Sequence, residues 1–430
     1  MPLSSYDDRR RWERLDRAAL TARQLEKLNP LLAELRAAGG FYADKLAEAP
    51  GEVATLDDLR RLPYTHKDEL LAGPRGDEAA NRTYPLDRYV RFHQTSGSRG
   101  RPLAVRDTAE DWQWWIEGWQ YVLDAAGVTA ADRALLAFSF GPFVGFWSAF
   151  DALAARGVLT IPGGGMGSPA RLDLIQRTGA NVLLCTPNYA MRLAEVAAEQ
   201  QTRLASLGVE TIIVAGEPGG SLPAVRDRME QAWGARVLDH TGATEVGPWG
   251  YGEQAGRERE GRGVYVNESQ FLAEFVSVET GEPAAEGELS HLVLTTLGRA
   301  GAPVIRYRTG DLVRPVWSGD GENRFVFLDG GVVSRADDMM VIRGVNVFPT
   351  AIDQIVRGFP EVVEYRMTAR RAGEMDELVV EVEDRLQDPR RIARELSLRL
   401  GLTIEVRLAP PASLPRSDGK AKRFVDLRNE

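Results

Sequence analysis

Apolar positions along this chain change their spacing as it proceeds, and each change predicts a different kind of element. Leu15, Leu20, Leu25, Leu28, Leu31 and Leu32 recur at close to helical spacing, predicting a helical arm over residues 1–80. The middle alternates. Short apolar runs at Ala134–Phe138, Gly157–Ile161, Asn181–Cys185, Thr211–Ala215 and Ala235–Leu238 read as strands. The first is followed by an aromatic amphipathic stretch, Phe143–Ala155, and between the others Ala170–Thr178, Tyr189–Gln200 and Leu222–Trp233 read as helices. Strand and helix alternating in this way predict an α/β fold with a mostly parallel sheet covered on both faces. From Gly263 the pattern turns β-rich, with strands expected at Phe271–Val278 and Glu288–Thr295. After Ser334 comes a compact α+β unit: strand Met340–Ile342, a helix opened by Pro349, strands Val362–Thr368 and Glu377–Val382, helix Ile392–Leu400 and strand Thr403–Leu408. The expected division is a large domain over 1–333 and a small one over 334–430.

The 430 residues suffice for such a pair of domains. Hydrophobic residues at 43% and charged residues at 27% match a folded, water-soluble protein. No apolar run is long enough for a membrane span, and the basic, polar N-terminus lacks a signal-peptide core. A cytoplasmic protein without a membrane partner is expected. The net charge of −9 gives no general footprint for nucleic acid. Cys185 is the only cysteine, and His66, His93, His240 and His291 show no paired metal spacing.

Five segments could carry chemistry. In Thr95-Ser96-Gly97-Ser98-Arg99-Gly100-Arg101-Pro102, hydroxyls and glycines interleave, so N–H and O–H groups can converge on phosphate oxygens. Arg101 adds a fixed charge, although a surface turn would look the same. His240-Thr241-Gly242-Ala243-Thr244-Glu245 follows a strand, where open α/β sheets bind ligands, and a carboxylate there can hold Mg²⁺. A glycine turn capping a helix is the plainer reading. Asp311, in Val304-Ile305-Arg306-Tyr307-Arg308-Thr309-Gly310-Asp311, is expected in a turn after an apolar strand, as a ribose ligand or simply a turn former. Ser334-Arg335-Ala336-Asp337-Asp338-Met339 with Arg343-Gly344-Val345-Asn346-Val347-Phe348-Pro349, and the basic Pro415–Arg423 loop, complete the set.

Taken in order, the five segments resemble the adenylate-forming superfamily of acyl- and aryl-CoA ligases, peptide-synthetase adenylation domains and luciferases. The likeness to the phenylacetate-CoA ligase family rests on Val304–Asp311, Arg343–Pro349 and the short chain. The resemblance implies ATP-dependent activation of a carboxylic acid, most readily an aromatic one, to an acyl-adenylate, and transfer to coenzyme A. It places Thr95, Ser96, Gly97, Ser98, Gly100 and Arg101 in the phosphate loop, Glu245 on Mg²⁺, and Thr244 by the acyl-phosphate. Gly216, Glu217, Asp239, His240, Thr241 and Gly242 fall to the nucleotide, with Asp311 and Arg335 on its ribose or phosphate. Gly344 lies on the pantetheine channel, Asp337 at a hinge, and Lys420 at the catalytic lysine. Phe138, Phe140, Phe143, Trp147, Pro248, Gly216 and Gly242 would line the acid pocket.

Two departures stand out. Thr241 replaces the aromatic that stacks on adenine, leaving His240 or Tyr251 as substitutes, and Arg101 stands where lysine is common. Two other readings stay open: transfer to a carrier-protein thiol or an amine, and a catalytically silent nucleotide-binding protein. Retention of Lys420, Glu245 and Asp311 together argues against the second. A homodimer is left open.

Overall fold

The computed structural model describes residues 3–73, 79–95, 101–139, 141–254, 262–317, 319, 321–336, 340–342, 345–372, 375–415 and 423–428. Its centre is a nine-stranded sheet. Leu159–Pro162, Arg133–Leu136, Val182–Cys185, Thr211–Ala215 and Arg236–Ala243 run parallel to their neighbours in that order. Beyond them Gly247–Tyr251, Gly263–Val266, Phe327–Asp329 and Pro315–Val316 continue antiparallel.

Side chains alternate across the parallel half, as strand geometry requires. Ala134, Leu136, Val182, Leu184, Ile213 and Leu238 face the helices Ala109–Ala126 and Val144–Arg156. Leu135, Leu183, Ile212, Val214 and Val237 face Ser168–Thr178, Pro187–Glu199 and Pro223–Trp233. Cys185 is fully buried in the second layer, where burial pushes its thiol pKa up, so it is core rather than nucleophile.

The helical N-terminal stretch is packed rather than free. Helix Tyr6–Glu13 is capped by Ser5 and buries Arg9, Arg10 and Glu13. Arg9 pairs with Asp124 at 2.6 Å, and the Tyr251 hydroxyl donates to Glu13 at 2.6 Å.

A second sheet, Phe271–Ser277, Ser290–Thr296, Tyr307–Val313 and Ser334–Arg335, is antiparallel throughout. A two-stranded hairpin, Tyr89–Gln94 with Ala104–Thr108, stands beside them. The small domain has its own core, running from Met340 to Ile404. Its four-stranded sheet places Val362–Ala372 and Met375–Asp384 antiparallel at the centre, with Phe424–Leu427 and Glu405–Leu408 parallel on either side.

Two expectations need correcting. Asp311 lies within a strand, in register with Arg335, not in a turn. The strand expected to end at Leu238 runs on to Ala243, so Thr241 and Gly242 are strand residues and no helix follows. The chain reverses there into Gly247–Tyr251. Glycines permit the close return, since a Cβ on Gly242 would lie 3.0 Å from the Gly247 oxygen.

Candidate active site

The candidate residues gather past the carboxyl ends of the parallel strands, the usual ligand crevice of an open α/β sheet. Strand Thr211–Ala215 ends in Gly216, whose φ of 93° suits glycine. The next residue, Glu217, accepts the Asn188 main-chain N–H at 2.9 Å. In the adjoining strand, opposite Val214, buried Asp239 accepts from the Ser221 hydroxyl at 2.5 Å. The fit around it is close: a Cβ on Gly220 would lie 2.5 Å from the Asp239 side chain.

Burial pushes the Asp239 carboxyl up to about 6 despite the Ser221 bond. The stability it contributes is therefore fully present below the unfolded value of about 3.9 and lost as pH rises through 6. In Asp239→Asn that loss disappears. The stability of the variant relative to the parent should rise by about 2 kcal/mol between pH 4 and pH 8. Urea midpoints at the two pH values check this; a pH-independent difference would mean Asp239 stays ionised.

Glu245, in the turn after Ala243, is buried. Its Oε1 accepts the Tyr307 hydroxyl at 3.0 Å and lies 3.4 Å from Lys67 Nζ. Its main-chain oxygen accepts from Arg299 Nη1 at 2.9 Å. Arg299 is wholly buried and pairs with Asp107 at 2.6 Å. Burial pushes Asp107 up, but Arg299 and His93 outweigh it and hold the carboxyl below its ordinary value. One guanidinium thus fixes the Glu245 turn to the hairpin that carries the phosphate-loop segment.

Lys67 opens the short helix Lys67–Leu71, and Arg101 donates to the Leu71 oxygen at the far end. Two main-chain bonds, Thr65 N to Arg306 O and Arg308 N to Thr65 O, both 3.0 Å, hold that helix against the strand carrying Tyr307.

Four residues further along that strand, buried Asp311 accepts from Arg335 Nη1 at 2.5 Å. Burial pushes the Asp311 carboxyl up; Arg335 opposes this and nearby Glu245 adds to it. The structure therefore brings Glu245, Asp311 and Arg335 into one neighbourhood. Gly310 suits its left-handed backbone, at φ 79°, and lies against the Arg335 guanidinium, which a Cβ would have to displace.

Thr95 stands at the neck of the phosphate loop. Its N–H reaches Leu103 O, and its hydroxyl oxygen accepts from Leu103 N–H, both at 3.0 Å; among the described residues the hydroxyl proton has no acceptor. Ser96, Gly97, Ser98, Gly100, Phe140, Asp337, Gly344 and Lys420 lie outside the described residues.

The two substitutes for an adenine-stacking ring are corrected. His240 is buried, its ring 4.3 Å from that of Trp119 and its Nδ1 bonded to Gly250 O at 2.7 Å. Burial holds its pKa down at about 4, so it is neutral at pH 7. Tyr251 is packed between Tyr121 and Tyr265. Neither ring presents a face to a nucleotide. Half-buried Thr241 packs its Oγ1, which finds no hydrogen-bond partner among the described residues, against Gly250, where a Cβ would lie 2.0 Å away.

Of the expected pocket aromatics, Phe143 and Trp147 are 42% and 37% exposed, so both are available to a ligand. Phe138 is half-buried and packs on the core, and Pro248 is buried against Gly118. Sequence reasoning missed Lys67, Arg299, Asp107 and Ser221. Each acts through a partner distant in the chain, so no local pattern marks it.

Known proteins resemble this chain along most of its length. The AMP-binding enzyme profile matches residues 43–290, and the AMP-binding enzyme C-terminal domain profile matches 344–428. The chain belongs to the AMP-binding enzyme family. It is 33% identical to the phenylacetate-coenzyme A ligase of Thermus thermophilus, over 97% of this chain and 98% of that one. It is 31% identical to the Escherichia coli enzyme of the same name, over 88% of each. A solved 2-hydroxyisobutyryl-CoA ligase is 26% identical and covers 99% of this chain, which covers 94% of it. In its postadenylation state with 2-HIB-AMP the TM-score is 0.89; in its thioesterification state with 2-HIB-AMP and CoA it is 0.73. The smaller domain is thus a recognised part of the family's architecture. Among the described residues no helix is long and apolar enough to cross a membrane.

Proposed function

We propose that this chain activates an aromatic carboxylic acid, an arylacetate such as phenylacetate, and passes it to coenzyme A. The protein is an AMP-forming acid–CoA ligase: ATP and an acid give acyl-AMP and pyrophosphate, and the acyl group then moves to the thiol. The reading is carried by Glu245 lying near the Asp311–Arg335 pair, in a chain that matches a phenylacetate-coenzyme A ligase along nearly its whole length.

In the first step a carboxylate oxygen attacks the α-phosphorus and the bond to pyrophosphate breaks. In the second the thiol sulfur attacks the acyl carbon and the bond to AMP breaks. Asp311 is the ribose ligand in this reading, and Arg335 keeps its carboxylate aligned. Thr95 donates its hydroxyl proton to a phosphate oxygen, alongside Ser96, Ser98 and Arg101. Thr244 faces the acyl-phosphate, and Lys420 stabilises charge on the oxygen bridging the attacked phosphorus. Gly344 borders the thiol's approach.

Glu245 fits Mg²⁺. It is a buried carboxylate whose Oε2 makes no hydrogen bond among the described residues, and Mg²⁺ usually takes one or two protein carboxylates besides phosphates and water. When bound, the ion neutralises phosphate charge. Phe143 and Trp147 supply flat, accessible surface for a ring.

The same enzyme matches at 0.89 in one state and 0.73 in another with coverage unchanged, which supports a reading in which the domains sit differently in the two states. We therefore assign the present arrangement to the adenylating side of the cycle. The boundary near 334 and a hinge at Asp337 complete the proposal.

Pyrophosphate exchange across a panel of acids tests it. Arylacetates should exceed both acetate and 2-hydroxyisobutyrate by more than about 200-fold, beyond what one methylene gives. A preference for 2-hydroxyisobutyrate would replace the aromatic reading. Exchange without thioester formation would favour a carrier protein or an amine as acceptor.

A further inference from the structure

Helix Pro187–Glu199 of the large domain begins beside the small domain, and its second residue touches both. The Asn188 side-chain oxygen accepts from Arg357 Nη2 and from Arg423 Nη1, each at 2.9 Å. Arg357 closes the small domain's helix Pro349–Arg357, and Arg423 directly precedes its strand Phe424–Leu427. On the other side, the Asn188 N–H is held by Glu217, inside the Gly216–Gly219 loop at the candidate nucleotide site.

A cavity lies between the domains, lined by Asn188, Arg192, Arg228, Arg357, Tyr365 and Arg423 among others. Its charges are nearly balanced. Arg192 pairs with Glu195, Arg357 with Asp353, and Arg423 with Glu364. Arg228 makes no ion pair among the described residues, so the cleft carries surplus positive charge. Across the interface Arg357 and Arg423 share the amide oxygen of Asn188, and the Glu217 carboxylate of the large domain also attracts Arg423.

We infer that Asn188 is a positioning residue that holds the small domain in the adenylating arrangement and must release it before the thioester step. The inference rests on the ligase reading above. A hydrogen bond shifts a two-state equilibrium only by its differential strength in the two states. Because Asn188 meets the small domain in this arrangement, weakening or strengthening it should move the two half-reactions in opposite directions. A carboxylate at this position would make both contacts charge-assisted, which roughly doubles their strength.

The test measures the half-reactions separately in the full chain: acid-dependent pyrophosphate exchange, and CoA-thioester formation from synthetic acyl-AMP. Asn188→Ala should lower exchange at least about fivefold without slowing the thioester step. Asn188→Asp should retain exchange and slow the thioester step at least about threefold. Arg357→Gln, altering the contact from the small domain, should reproduce Asn188→Ala and serves as the readout if that variant fails to fold. Equal changes in both steps, or none in either, would overturn the latch. A parent protein with no acid-dependent exchange and no thioester formation would instead sink the ligase reading.

Discussion

Lys420→Ala will lower acyl-adenylate formation by at least about a hundredfold, the scale for losing one preorganised electrostatic contact at a transition state. It will largely spare thioester formation from synthetic acyl-AMP. In the proposed reading Lys420, within the segment that matches the C-terminal domain, meets the candidate phosphate loop of the large domain only while the two are closed for the first step. Separate assays of the two half-reactions check this. Equal losses in both would leave the lysine as a general contact and remove the argument for alternation.

Arg299→Met will cost the large domain about 3–5 kcal/mol, the usual penalty for leaving a buried charge without its partner. The stranded group is Asp107, 1% exposed, and the Glu245 carbonyl loses its donor as well. Urea unfolding measures the loss. Asp107→Asn on that background should recover part of it, because the uncompensated charge is then gone. A loss below about 1 kcal/mol would show that Asp107 takes up a proton or finds another donor.

These two variants also mark what could be read from the chain. Lys420 stands in a segment whose residue types and order resemble a family, so a role can be assigned from sequence. Arg299 has no such signal. Its partners at Asp107 and Glu245 come together only when the hairpin, the parallel sheet and the antiparallel sheet close on one another. The strands and helices of the parallel half were legible because their apolar runs are short and separated by glycine, proline or polar turns. Helix Ala109–Ala126 was not. It buries residues around most of its surface, Trp112, Trp115, Trp119 and Tyr121 among them, so no polar face gives it a helical period. The position of Asp311 was misread for a related reason. Thr309-Gly310-Asp311 has turn-forming residues, but pairing with Arg335 keeps the segment in the sheet.

The packed first helix has a consequence for the order in which the protein matures. Arg9 waits for Asp124, 115 residues later, and Glu13 waits for the Tyr251 hydroxyl, 238 residues later. During synthesis, which proceeds from the N-terminus, the opening helix has neither buried partner when it emerges. Its charged groups must stay hydrated until the antiparallel half of the central sheet exists. Closing such distant contacts carries a loop entropy that is repaid only at the end. The beginning of the chain is therefore among the last parts of the large domain to be sealed into place.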